Sequence, residues 1–174
     1  MAIVWTDRAH LVRQYARQEA NRLQAGAIAP CHVLLGLLRV PGSTAASMLT
    51  WLNVDVAVLA EAVEAYAKTR RSSPEEEPMR DVFATAADCQ PGQNYVGTEH
   101  ILYALTTVGE AGLGEILAEH DVTAETCVRA FAEMSQARSG PELLCENCGS
   151  PASVHISDGN TGLSRHYCRW CSPL

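Results

Sequence analysis

Four cysteines near the C-terminus carry the most definite chemistry in this 174-residue chain. Cys145 and Cys148 form one Cys-x2-Cys pair, Cys168 and Cys171 form another, and 19 residues separate the two pairs. Two residues between cysteines let both thiolates of a tight knuckle face one ion, and two such knuckles complete a tetrahedral set of four sulfurs. That set suits Zn2+ and leaves no position open for water or substrate, so the expected role of the metal is structural. Asp158-Gly159 divides two alternating stretches, 153–157 and 163–167, and reads as the turn of a β-hairpin joining the knuckles. His155 and His166 offer alternative ligands, but their places read as hairpin surface. A segment this short and this poor in large apolar side chains has no core of its own, so the ion would supply its folding energy.

The second polar feature is Glu99-His100, inside the stretch Asn-Tyr-Val-Gly-Thr-Glu-His-Ile-Leu-Tyr-Ala-Leu at 94–105. An upstream echo, Ala27-Ile28-Ala29-Pro30-Cys31-His32-Val33-Leu34-Leu35, aligns His32 with His100 at an offset of 100 − 32 = 68. The same offset sets Ile28 on Val96, Leu34 on Leu102, Leu37 on Leu105, Leu49 on Leu117, Val54 on Val122 and Val63 on Phe131, all apolar pairs. The chain is therefore an internal repeat, and two halves too small to bury a core alone are expected to pack as one pseudo-twofold domain. Cys31 beside His32 does not make a catalytic dyad, because successive residues on a helix point about 100° apart. A carboxylate at Glu99 suits the first turn of a helix, where it meets the positive end of the dipole.

The elements that must position these groups are helical. Thr6 or Asp7 caps a first helix whose Ala9, Val12, Ala16, Ala20 and Leu23 recur every three or four residues until Gly26. Pro30 opens a second helix, through Val33, Leu34, Leu37 and Leu38, that ends near Pro41-Gly42. Ser43 caps a third, through Leu52, and Asp55 a fourth, through Tyr66. Residues 69–78 turn abruptly to charge, serine and proline and read as a solvated link. Met79, Val82, Phe83 and Ala86 restart the period, Pro91-Gly92 interrupts it, and helices from Gly97-Thr98, over 111–119 and over 123–134 complete a second set of four. The fold class expected is all-α, two four-helix repeats followed by a small zinc-ribbon-like hairpin module. Its divisions are repeat one at 1–68, linker 69–78, repeat two at 79–138, a joint at 139–142 and the four-cysteine zinc module at 143–174.

Composition narrows the function. The formal charge of −7 argues against a general nucleic-acid binder, although Arg165, Arg169 and Trp170 on the zinc module offer a local contact surface as the alternative reading. No apolar run approaches the length of a membrane span, and the start lacks the pattern of a secretion signal, so the expectation is a cytoplasmic protein with no membrane partner. An odd cysteine count, with Cys31, Cys89 and Cys127 isolated in helices as small apolar residues, fits a reducing compartment better than a disulfide framework. No phosphate-binding loop, nucleophile elbow, dinucleotide fingerprint or zinc-protease helix is present, so no enzymatic activity is expected.

With these residues assembled, the helical part resembles the Clp N-terminal repeat domain, the substrate- and adaptor-binding module at the front of ClpA, ClpB and ClpC unfoldases. The resemblance rests on 94–102, Asn-Tyr-Val-Gly-Thr-Glu-His-Ile-Leu, on Thr6-Asp7-Arg8-Ala9 and on Leu34-Leu35-Gly36-Leu37-Leu38. The ATPase modules that follow in that family have no counterpart here, which implies a stand-alone domain. The tail is similar to the zinc module of McsA-type proteins, which accompany ClpC and activate a protein arginine kinase. Together the two resemblances imply an adaptor or regulator of Clp-type proteolysis, with a Clp unfoldase or protease component, a protein arginine kinase or a substrate as partner. In ClpC the domain reads phosphoarginine, with a glutamate in each repeat for the guanidinium and a helix N-terminus for the phosphate. The resemblance carries Glu99 and Thr6 into those roles. Cys31 occupies the first-repeat glutamate position and Glu75-Glu76-Glu77 precede the second repeat, so phosphoarginine binding is expected to be weakened or lost, with one half-matching site.

Overall fold

The computed structural model describes residues 4–70, 78–89, 95–108, 110–138, 154–157 and 164–167. In chain order these form β1 (Val4–Trp5), α1 (Asp7–Arg22), α2 (Pro30–Leu38), α3 (Thr44–Trp51), α4 (Val56–Thr69), α5 (Pro78–Asp88), β2 (Tyr95–Val96), α6 (Thr98–Val108), α7 (Ala111–Glu119), α8 (Ala124–Arg138), β3 (Val154–Ser157) and β4 (Ser164–Tyr167). The chain packs as two compact units, residues 1–132 and 133–174. That division falls inside α8, ahead of the boundary at residue 138 read from composition.

Local chemistry sets the helix starts. Thr6 Oγ1 accepts from the Ala9 N–H at 3.2 Å, Ser43 Oγ from Ala46 at 3.1 Å, and Asp55 Oδ1 from Ala57 and Val58 at 2.9 and 3.2 Å. Each occupies an N–H that a helix start would otherwise leave unpaired. Pro30, with no N–H to satisfy, takes the first position of α2. The helix ends are less faithful to expectation. α1 stops at Arg22 rather than at Gly26, because Gln24 takes the left-handed conformation (φ 54°) and the Ala25 N–H reaches back to the Ala20 carbonyl at 2.9 Å.

The repeat is visible in the backbone. Asn53 and Asp121, 68 residues apart, both adopt left-handed φ, 58° and 59°, after α3 and α7. Val54 N–H closes on Leu49 C=O at 2.9 Å, and its counterpart Val122 N–H on Leu117 C=O at 2.8 Å. At the starts of α2 and α6, His32 Nδ1 accepts from the Ala29 N–H at 2.9 Å and His100 Nδ1 from the Gly97 N–H at 3.0 Å. Within the helical unit the two copies share one core. Leu34, Leu37, Leu49 and Leu59 from the first, and Ile101, Leu102, Leu105, Leu113 and Leu117 from the second, are fully buried.

Three ties between the copies were not readable from periodicity. β1 and β2 pair in parallel, Val4 with Tyr95 and Trp5 with Val96. The Arg13 guanidinium lies 4.5 Å from the Trp5 ring and 4.4 Å from the Phe83 ring, and those rings meet edge to face at 5.6 Å. Thr98 Oγ1 at the start of α6 accepts from the Ala45 N–H of α3 at 3.2 Å.

In the second unit, β3 and β4 pair antiparallel with His155 opposite His166 and Ile156 opposite Arg165. Cys145, Cys148, Cys168 and Cys171, and the Asp158-Gly159 turn, lie outside the described residues, as does most of the link at 69–78. Among the described residues no single helix is long and apolar enough to cross a membrane.

Candidate functional site

Two helix starts open on one cavity of about 440 Å3 in the helical unit. Thr6, Asp7 and Arg8 bring the first turn of α1, Gly97, Thr98 and Glu99 that of α6, and Thr44 and Tyr95 complete the lining. The parallel strands put the starts side by side. Each runs straight into its helix, and the Thr6 N–H donates to the Val96 carbonyl at 3.0 Å. Thr6 belongs to the first repeat and Glu99 to the second, so the two residues singled out separately in the sequence line a common cavity built across the repeats.

The charges in it are of both signs. Helix starts present N–H groups and partial positive charge, and Arg8 adds a full one. Asp7 and Glu99 supply the opposite sign, Glu99 from a side chain only 7% exposed. Its carboxylate folds back over Gly97, where any Cβ would collide with it. His100 Nδ1 lies 3.4 Å from Glu99 Oε1, yet that nitrogen already accepts the Gly97 N–H, so it offers a lone pair and no proton. Burial pushes the His100 pKa down, against the upward pull of Glu99. Among the described residues no lysine or arginine pairs with Glu99. A buried carboxylate left without a cation is costly, and here it faces a cavity that a ligand's cationic group can enter.

The equivalent of Glu99 in the first repeat sits in different surroundings. Cys31 is fully buried and does not line the cavity. Its thiol is pushed up to about 11, first by burial and then by Glu110, with Arg70 acting in the other direction. Arg70 Nε and Tyr66 Oη both donate to Glu110 Oε2, each at 2.7 Å. Cys31 therefore feels the charges of this polar cluster and does not line the cavity that Thr6 and Glu99 share. Glu75, Glu76 and Glu77 lie outside the described residues.

Of the other candidates, Arg165 lies in β4, while Arg169 and Trp170 lie outside the described residues with the four cysteines. Among the described residues no group of three or more His, Cys, Asp or Glu side chains is placed to hold a metal. Thr44 had no sequence signal, because it reaches the cavity from α3, far from both recognised helix starts in the chain. Arg8 and Tyr95 sit within recognised stretches without an assigned role, and Asp7, read as an alternative to Thr6 for the cap of the first helix, is instead its first residue.

The Clp repeat N-terminal domain family matches this chain over residues 5–120. The chain belongs to that family. Among its relatives, the ATP-dependent Clp protease ATP-binding subunit ClpC of Staphylococcus aureus strain USA300 is 29% identical over 155 residues, covering 85% of this chain and 18% of the relative. The ClpC subunit of Staphylococcus epidermidis strain ATCC 12228 is 30% identical over 149 residues, covering 82% and 18%. This Clp repeat chain thus spans less than a fifth of the length of these curated relatives. Its fold is similar to the Hsp104 N-terminal domain from Candida albicans (TM-score 0.61, 19% identity, 76% of this chain and 91% of that one). It is also similar to the N-terminal domain of the chaperone ClpD from Arabidopsis thaliana (TM-score 0.55, 21% identity, 75% and 96%).

Proposed function

We propose that this Clp repeat domain is a non-catalytic protein- or peptide-binding module, an adaptor or regulator of Clp-type ATP-dependent proteolysis, and that the cavity between Thr6 and Glu99 is its recognition site. The observation that carries the reading is the buried Glu99 carboxylate, without a cationic partner among the described residues, in a cavity whose other lining is the helix starts with Asp7 and Arg8, together with Thr44 and Tyr95. A phosphoarginine side chain has the matching order of charge, a guanidinium for Glu99 and a phosphoryl group for the helix starts. Partners in this reading are a Clp unfoldase or protease component, a protein arginine kinase, or a marked substrate. Titration of a phosphoarginine peptide, beside its arginine and phosphoserine versions, tests it. The wild type should prefer phosphoarginine, and Glu99→Gln should weaken that binding about tenfold or more, the loss of a charge-assisted contact. Equal affinity of the wild type and Glu99→Gln for all three peptides would remove the cavity from recognition.

We further propose that Cys145, Cys148, Cys168 and Cys171 hold a structural Zn2+. Support comes from their spacing and from the chemistry of the donor set, four thiolates that close a tetrahedron. Such an ion would supply folding energy for the module and a second, separate surface for partners. Metal analysis should find one zinc per chain, lost in a Cys145→Ser, Cys168→Ser double variant. Chelation should leave the helical circular dichroism largely intact, and a chain without zinc after purification under reducing conditions would refute the assignment.

A further inference from the structure

The parallel pair β1–β2 exposes one face beside the cavity. Strand residues alternate sides, so Trp5 and Val96 turn inward, with Val96 fully buried and Trp5 packed on Phe83. Val4 and Tyr95, register partners on the other face, remain exposed, Val4 at 61% and Tyr95 at 39%. Tyr95 also lines the cavity, so this apolar ledge is continuous with it. Its ring packs edge to face with that of His100, 5.8 Å between centroids at 79°, a contact that limits the freedom a ligand would have to freeze. Two exposed apolar side chains against a cavity of mixed charge make a two-part surface.

We infer that the site reads a pair of side chains, with the cavity taking the charged one and the Val4–Tyr95 ledge taking an apolar or aromatic one within two residues of it in an extended peptide. This rests on the cavity being the recognition site and goes beyond it by naming sequence context. In an extended chain, side chains two residues apart lie on one face about 7 Å from each other, so one peptide can fill both parts. The two side chains of the ledge, Val4 and Tyr95, carry no charge, so what they favour is apolar surface.

Two phosphoarginine peptides, one with phenylalanine two residues after the modified arginine and one with serine there, are titrated against the full chain, with Glu99→Gln included. The ratio of their affinities is the readout. In the wild type the phenylalanine peptide binds about tenfold more tightly. In Val4→Ser and in Tyr95→Ser the ratio falls toward one, whereas Val128→Ser, at an exposed valine on α8, keeps it. Val4 is the more exposed of the two and its variant guards against a folding defect at Tyr95. Binding that depends on Glu99 but shows a ratio of one in the wild type overturns this inference and leaves the cavity assignment standing. Absence of binding by both peptides overturns both.

Discussion

Burial sorts the three cysteines of the helical unit. Cys31 and Cys127 are almost fully buried and their thiols are pushed up to about 11, in both cases chiefly by burial, while Cys89, also pushed up by burial and then by Asp88, is only half-buried and open to reagent. Only the thiolate alkylates, so iodoacetamide at pH 8, read by peptide mapping, should label Cys89 at least about tenfold faster than Cys31 or Cys127, and all three alike once the chain is unfolded. Rapid native labelling of Cys31 would contradict its place in the core. The sequence reading of the cysteines as small apolar residues in helices holds for Cys31 and Cys127, which fall on buried helix faces, whereas Cys89 lies just past the end of α5 and is half-buried. His32 Nδ1 is engaged by the Ala29 N–H. The surroundings of Cys31 were not legible, because Arg70 and Glu110 come from distant parts of the chain.

At the scale of elements, one glycine sets how closely two helices approach. A Cβ on Gly36 of α2 would lie 2.9 Å from the Val12 carbonyl oxygen and 3.0 Å from the Ala16 Cα of α1, backbone that cannot move aside cheaply. Gly36→Ala should therefore destabilise the helical unit by about 1–3 kcal/mol in urea unfolding. Gly26, expected to end α1, lies in open space instead. Gly26→Ala should be neutral or stabilising by up to about 1 kcal/mol, because it mainly restricts the unfolded chain. The opposite ranking of the two variants would mean that the α1–α2 crossing is misplaced. The helices and their N-caps were readable because they depend on residues within one turn. The end of α1 was not, because Gln24 took the left-handed position that a glycine would ordinarily fill.

For the whole helical unit, the two pseudo-equivalent histidines predict how stability follows pH. Burial holds His32 and His100 below the ordinary imidazole range, in each case as the largest cause. The unfolded chain thus takes up protons that the folded one refuses. Stability is full above about pH 6.5 and declines as pH falls below it. Glu64, held down to about 2 first by Arg22 and then by Lys68, contributes above the ordinary carboxylate range and loses that contribution only at lower pH, so it leaves this window alone. The Tm of the helical unit should fall between pH 7.5 and 5.5, and a Tm that rises over that range would show that the histidines are not buried neutral. The sequence by itself determined the eight helices found among the described residues, their 68-residue repeat and the spacing of the four C-terminal cysteines, because periodicity, capping and ligand spacing are local. Only the tertiary structure decided that Thr6 and Glu99 share a cavity, and that Cys31 stands apart from it. That arrangement follows from the parallel pairing of Val4–Trp5 with Tyr95–Val96, a contact between segments about ninety residues apart that no local pattern encodes.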